Sequence, residues 1–487
     1  MNFLLVWFIF SPILVAGLLY LFKKHILNFG FLMLLIFSTF NTGLAFLLFR
    51  VIYSSGNLVY HIGNWSALNG ITLFADKLSG FILVILQVLF LSALFFSKGY
   101  VKEKQINYFS FFYILQAGLT GMILTSDLFN MYVSLEIVSL VSYALVAYEK
   151  DDLAIEAGLK YIIIGSVASL IIFWGIGVVY AVTHHLNLTL IANSFEHVSN
   201  IVKGATFIAF FVGFSIKFAL FPFHPWLPDA HASAPSPISA LLSGIMVKVQ
   251  IYSLMRIYTS LFNTQYLHHN NIKIIVLLMG GSTILVGHFM ALNQNNFKRL
   301  LAYSSMAHIG YIVVGLGTTS KKGIIGALYH MLNHGVLKAG LFFIAGALIY
   351  KENIKKVAEL KGLYYRNRHL GLSLFVLSLG MIGIPPLNGF LSKWLIIMGA
   401  MSAKSYFSAS IVALGTFLSL IYYIKINTLI FTPIEGSKKL LDIDFLFYLP
   451  IITMVILSLV LFVFGDNVYN ILNEILATFT DMKSIEF

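Results

Sequence analysis

The sequence predicts an all-α integral membrane protein of about fourteen transmembrane helices, with two inverted five-helix repeats and two helices broken at membrane depth. Three observations carry this reading. Of 487 residues, 59% are hydrophobic and only 10% charged, whereas a soluble domain carries about 25% charged residues. The apolar runs repeatedly reach the ~20 residues a helix needs to cross hydrocarbon. Two of those runs are cut by prolines, with lysines beside the cuts.

The spans fall near residues 2–22, 26–50, 78–97, 107–125, 128–148, 156–182, 204–221, 237–261, 272–292, 300–317, 323–349, 370–396, 406–431 and 444–465. Residues 2–22 lack a basic lead and a small-residue cleavage pattern, so they read as a retained span, not a signal peptide. No run shows a period of two, and no sheet is expected. The connections 51–77 and 183–203 read as structured loops or short interfacial helices. The tail 466–487 reads as an amphipathic packing or anchoring helix with Leu472, Ile475 and Leu476 on one side. The chain divides into 1–106 (spans one to three), 107–261 and 272–431 (the two five-span repeats) and 444–487 (span fourteen and tail).

The net charge of +12 has no soluble basic face to sit on, so it points to loops, not to nucleic acid. Connections holding Lys23, Lys24, Lys98, Lys102, Lys104, Lys150, Lys298, Arg299, Lys351 to Arg368, Lys438 and Lys439 carry twice the Lys and Arg of the opposite side, where Arg50, Lys77, Lys203, Lys273, Lys321, Lys322, Lys404 and Lys483 lie. By the positive-inside rule the first side is cytoplasmic and both termini face outward. The absence of cysteine excludes disulfides and thiolate-held metal or iron–sulfur groups. No cofactor and no metal are expected, and redox chemistry belongs to another subunit.

The functional candidates are ionisable groups inside spans, which are costly and mark ion paths. Glu136 sits mid-span in MYVSLEIVSLVSYALV, and Lys217 in span seven is its expected partner. The stretch GFSIKFALFPFHPWLPDAHASAPSPISALLSGIMVK, Gly213 to Lys248, breaks at Pro222, Pro225, Pro228, Pro235 and Pro237 and carries Lys217 and Lys248. A backbone broken at this depth is tolerated only inside protein or beside water. His330, His334 and Lys338 follow at i, i+4 and i+8 on one helix face. Metal binding by the two histidines is the rival reading, without a nearby carboxylate in sequence. Pro385–Pro386 with Gly383 and Gly389 repeats the break, and Lys393 stands beyond it; paired broken helices point to an inverted-repeat transporter. Asp127 reads as a helix cap, Arg256 as reaching toward headgroups, and Lys160 and Lys425 as snorkelling, with Glu156 four residues before Lys160.

These residues resemble the antiporter-like subunits shared by respiratory complex I, group 4 membrane-bound hydrogenases and Mrp-type sodium/proton antiporters. The resemblance rests on FPFHPWLPDAHASAPSPISALLSGIMVK, on KRLLAYSSMAHIGYIVVG at Lys298 to Gly315 and on HMLNHGVLKAGLFF at His330 to Phe343. It implies that the family's fifth-helix glutamate falls on Glu136 and its seventh- and eighth-helix lysines on Lys217 and Lys248. The eleventh-helix histidines fall on His330 and His334, and the twelfth-helix terminal residue on Lys393. Lysine at that last position is similar to the L and N subunits of complex I, the Mrp D subunit and the hydrogenase-type subunit, not to the M subunit of complex I. The tail is too short for the lateral helix of the L subunit. The hydrogenase-type subunit is the nearest resemblance, with the Mrp D subunit close behind.

The resemblance implies a proton-translocating subunit, sodium-coupled in an antiporting version, in a prokaryotic cell membrane. Its partners would be sister antiporter-like subunits, small membrane subunits, a hydrophilic redox arm and the lipid bilayer. The competing readings are a complex I subunit, a structural membrane subunit without its own ion path, and a stand-alone solute transporter. A quinone-handling enzyme lacks the residues for it.

Overall fold

Twelve helices among the described residues are long and apolar enough to cross a membrane. The computed structural model describes residues 2–21, 30–102, 105–262, 266, 270–433 and 440–479. Lys23, Lys24, Lys104, Lys438, Lys439, Lys483 and tail residues 480–487 lie outside them.

The helices are α1 (Phe3–Leu21), α2 (Gly30–Ser55), α3 (Lys77–Tyr100), α4 (Gln105–Leu124), α5 (Leu128–Val146), α6 (Asp152–Thr183), α7 (Leu188–Phe195) and α8 (Asn200–Lys217). After the first break come α9 (Trp226–Ser233), α10 (Ser236–Leu241), a π-turn at Leu242–Met246 and α11 (Val247–Leu261). There follow α12 (Asn270–Leu292), α13 (Phe297–Gly317), α14 (Lys321–Glu352), α15 (Leu363–Arg366), α16 (Arg368–Ile382), α17 (Asn388–Ser402), α18 (Tyr406–Phe431), α19 (Phe445–Val463) and α20 (Gly465–Phe479).

Apart from the two breaks, each of the fourteen expected spans is helical over most of its described residues, but two are not among the twelve. Helix α4 is diluted by Gln105, Asn107, Gln116 and Thr120. Span twelve is divided into α16 and α17, 15 residues each, too short to cross alone. The expectation of no sheet fails in the connection 51–77. Leu58–His61 and Thr72–Ala75 pair antiparallel as β1 and β2. Two four-residue strands were invisible beside runs five times longer, although Gly63, Asn64 and Gly70 between them are turn residues.

Burial separates the centre from the rim. The apolar window of Ser236–Leu261 is 100% buried and that of Lys321–Glu352 is 94% buried, against 28% for Phe445–Val463 and 33% for Phe3–Leu21. Helix α14 packs on α10, α13, α16, α17 and α19, so both broken regions meet it. Caps set the helix starts. Asp127 accepts from the Asn130 amide at 2.7 Å, as expected for a cap, and Asn296 accepts from that of Arg299 at 3.0 Å. Helix α20 buries Leu472, Ile475 and Leu476 and is tied to the start of α3 by Glu474 and Lys77, 3.1 Å apart.

Arg256 does not reach headgroups. It is buried and ion-paired with Asp76, which caps α3 through the Ser79 amide at 2.8 Å, while its Nε donates to the Tyr252 hydroxyl at 2.8 Å. The partners lie 180 positions apart, beyond any local pattern. Leaving one of them alone in the interior costs about 3–5 kcal/mol, so Asp76→Ala or Arg256→Leu should unfold at markedly lower temperature. Burial alone would raise the Asp76 carboxyl, but Arg256 and the Ser79 hydrogen bonds hold it below its ordinary value. A depressed carboxylate stabilises above its unfolded pKa, about 3.9, and loses that contribution as pH falls through the folded value. The stability gap between wild type and Asp76→Asn should therefore be constant from pH 7 to about 4 and close only below that, in thermal unfolding of the detergent-solubilised protein.

Lys160, read as snorkelling, is half-exposed and paired with Glu156 at 2.7 Å and Asp229 at 3.0 Å; Arg299 also meets Asp229, at 3.1 Å. Lys425 is exposed.

Candidate functional site

Both helix breaks are internal. Helix α8 ends at Lys217, and residues 218–225 cross to α9 while finding partners in the protein. The Leu220 amide donates to Ser215 O at 2.8 Å, the Phe221 amide to Thr283 Oγ1 at 3.0 Å, and Trp226 Nε1 to Ile216 O at 2.9 Å. The second break follows Gly383, left-handed at φ 83° as a C-cap glycine permits. A Cβ on Gly389 would strike the Gly380 carbonyl, so only glycine allows α17 to start there.

The lysines sit at these irregularities. Lys217, 2% exposed, is the last residue of α8, where the helix dipole favours a cation. Its Nζ donates to Ser139 Oγ at 2.7 Å and lies 3.9 Å from Glu136 Oε1, so the expected pair exists as a loose contact beside a serine. Lys248 donates to the Ser243 carbonyl in the π-turn. Lys338 donates to Leu301 O at 2.8 Å, and Lys393 to Met381 O and Ile382 O at 2.9 and 3.0 Å. Lys248, Lys338 and Lys393 are at most 3% exposed, and their Nζ atoms meet only carbonyl and hydroxyl oxygens, with no ion pair among the described residues.

Hydrogen bonds join several of these groups. Ser243 Oγ meets Ser305 Oγ at 2.8 Å, three residues before His308 on α13. His308 Nδ1 contacts His330 Nε2 at 2.9 Å, and His330 Nδ1 contacts Ser392 Oγ at 2.9 Å, beside Lys393. His334 joins by stacking on His308, centroids 5.1 Å apart, and neither of its ring nitrogens is hydrogen-bonded. A second chain starts where Lys338 lies 3.5 Å from the Tyr423 hydroxyl. It continues through Ser304 and Tyr422 to His288 and Tyr311. The Tyr311 ring faces Lys393 Nζ at 5.0 Å. The first chain ends at Ser392, the sequence neighbour of Lys393, and the second at the Tyr311 ring; among the described residues no hydrogen bond joins either to the Lys393 ammonium, and none joins Ser305 to His308. No hydrogen bond among the described residues connects the Lys217 group to Lys248.

The parallel stack of His308, His330 and His334, with ring planes within 8° of one another, does not converge on a point as metal ligation requires. Among the described residues no group of three or more His, Cys, Asp or Glu could hold a metal.

Sequence reading missed His308, His288, Tyr311, Tyr422, Tyr423 and Ser392. The signal for His308 was present in AYSSMAHIGY, a histidine with two serines in an apolar span; its contact with His330 depends on how α13 meets α14. Also missed were buried Lys298, which donates to Ala234 O at 2.5 Å, and Glu149, whose carboxyl burial pushes up against the opposing pull of Lys298.

A multi-pass helical protein with two broken helices and buried lysines beside the breaks defines the class: an antiporter-like, ion-translocating membrane subunit. The chain belongs to the NADH:quinone oxidoreductase/Mrp antiporter transmembrane family, whose family model matches residues 125–419. It is 36% identical to NADH-quinone oxidoreductase subunit N of Desulforudis audaxviator over 376 residues, 75% of this chain and 74% of that one. It is 31% identical to the D subunit of the Na(+)/H(+) antiporter of Alkalihalophilus pseudofirmus over 477 residues, 95% and 94% of the two chains. Its fold superposes on a chain of the membrane-bound sulfane sulfur reductase, an archaeal respiratory membrane complex, with TM-score 0.92 at 25% identity, covering 98% of this chain and 99% of that chain.

Proposed function

We propose that this chain moves protons along the row Glu136, Lys217, Lys248, His330/His334 with His308, Lys338 and Lys393, as one subunit of an Mrp-type or membrane-bound-hydrogenase-type complex in a prokaryotic cell membrane. The observation that carries the proposal is the burial of these cations on backbone and hydroxyl oxygens. A group held by dipoles gives up its charge without leaving a fixed counter-ion behind, whereas a buried lysine–carboxylate pair would lock it. Sodium is the second cation of an antiporting cycle, by analogy with the Na(+)/H(+) antiporter relative. A complex I subunit is the second reading, favoured by the identity to subunit N.

The halves 107–261 and 272–431 act as inverted repeats in this proposal, each with one broken helix. Lys217 ends the helix before its break while Lys393 follows its own, so the correspondence lies in the breaks, not in the lysine positions. The lysine-rich loops are cytoplasmic and the termini face outward.

Glu136 marks where a neighbouring subunit sits. Its side chain is 30% exposed on a stripe with Phe129, Val133 and Leu140, one helix face. A carboxylate does not rest against lipid at this depth, so the stripe suits protein. Glu136→Gln should leave the complex assembled and slow cation-driven proton movement about tenfold, equivalent to about 1.4 kcal/mol of lost coupling. A pH-sensitive dye in vesicles holding the assembled complex reads this, and an unchanged rate would remove Glu136 from the path.

A further inference from the structure

One groove stands apart from the buried row. Of about 480 Å³, it lies between α8, α11, α12, α13 and the amphipathic α20, within the ~300–1,000 Å³ range of ligand sites. Its walls are apolar: Phe207 and Phe211 of α8, Leu254 and Tyr258 of α11, Leu316 of α13 and Leu476 of α20. It extends from the level of Phe207 to that of Phe218, 11 residues or about 16 Å along a helix.

Two positive charges close one end. Lys273, in the first turn of α12, and Lys321, the first residue of α14, both line the groove, and no carboxylate is among its described lining residues. Neither lysine makes an ion pair among the described residues. Lys273 has a long contact, 3.5 Å, to the Ala403 carbonyl, and Lys321 is exposed. The N-terminus of α14 adds its own positive partial charge at the same end.

An occupant must therefore be apolar over about 16 Å and anionic at one end. We propose that the groove binds an anionic phospholipid drawn from the bilayer, with an acyl chain against Phe207, Phe211 and Leu254 and the phosphate between Lys273 and Lys321. The chain end would rest at Phe218, the residue after Lys217, so the lipid packs against the backbone that carries the first lysine of the row.

The test uses the assembled complex in phosphatidylcholine vesicles. A reporter tryptophan is introduced as Phe211→Trp, and quenching beyond that of the protein without the reporter is compared for phosphatidylglycerol and phosphatidylcholine with the same brominated chains. Phosphatidylglycerol should quench at a mole fraction about 25-fold lower, about fivefold per lysine. Lys273→Gln and Lys321→Gln should each remove one fivefold step. Equal quenching by both lipids, or none because protein fills the groove, would overturn the proposal. Should the reporter variant fail to assemble, native mass spectrometry of the wild-type complex decides. Phosphatidylglycerol retained by the wild type should be lost from the Lys273→Gln/Lys321→Gln variant, and an equal count in both would refute the site.

Discussion

Lys217→Ala should abolish cation-coupled proton movement and leave the complex assembled. Lys217 is the one lysine of the row with a carboxylate in reach, at 3.9 Å, and its closest oxygen is Ser139 Oγ at 2.7 Å. Two positions are therefore open to the ammonium: on the serine, as here, or closed onto Glu136. A nearby negative charge favours the charged amine and its withdrawal favours release, so movement between the two would gate the proton. Alanine removes the carrier altogether, and transport should fall by more than about 100-fold, or ~2.7 kcal/mol. The variant also leaves Glu136 without its cation, which a structural role would register as lost assembly. The double variant Lys217→Ala/Glu136→Gln removes that penalty. Assembly kept in both variants with transport absent from both separates the carrier from the strut; transport restored in the double variant would mean that the pair merely holds α5 against α8.

The spans, both breaks, the lysines beside them and the Glu136–Lys217 contact were legible because each depends on one-dimensional information. Apolar run length sets a helix, proline and glycine set a break, and a charge inside a run demands a partner. The contact with Glu136 could be anticipated because few carboxylates lie at that depth. Arg256 shows where such reasoning ends. Its position near a helix end suited snorkelling equally well, and only the tertiary fold, which packs α3 on α10 and the π-turn ahead of α11, brings Asp76 to it. The hydroxyl and imidazole connections from Ser243 to Ser392 were illegible for the same reason. A serine in a transmembrane helix bonds its own i−4 carbonyl as readily as a neighbour, and Ser305 does both, donating to Leu301 O at 2.8 Å while accepting from the Ser243 hydroxyl.

Lys393 lies beside the ends of both chains, next to Ser392 and over the Tyr311 ring, and substitutions there should separate two duties, capping the broken helix and the proposed proton transfer. Its ammonium donates to the Met381 and Ile382 carbonyls, the last two of α16, which the break deprives of helical partners. Lys393→Ala leaves both buried carbonyls without a donor, at about 1–3 kcal/mol each, and removes the proposed proton carrier beside Ser392 and Tyr311. Both thermal stability and transport should fall. Lys393→Gln keeps an N–H donor, on a side chain one atom shorter, but holds no exchangeable charge. Its unfolding temperature should lie closer to wild type than that of Lys393→Ala, while proton movement, measured in the same vesicles, should be as low as in the alanine variant. Wild-type transport by Lys393→Gln would make the lysine a cap for the broken helix and end the proton row at His330. Loss of transport with stability retained assigns Lys393 to the path, because the carbonyls are then satisfied and only the charge is missing.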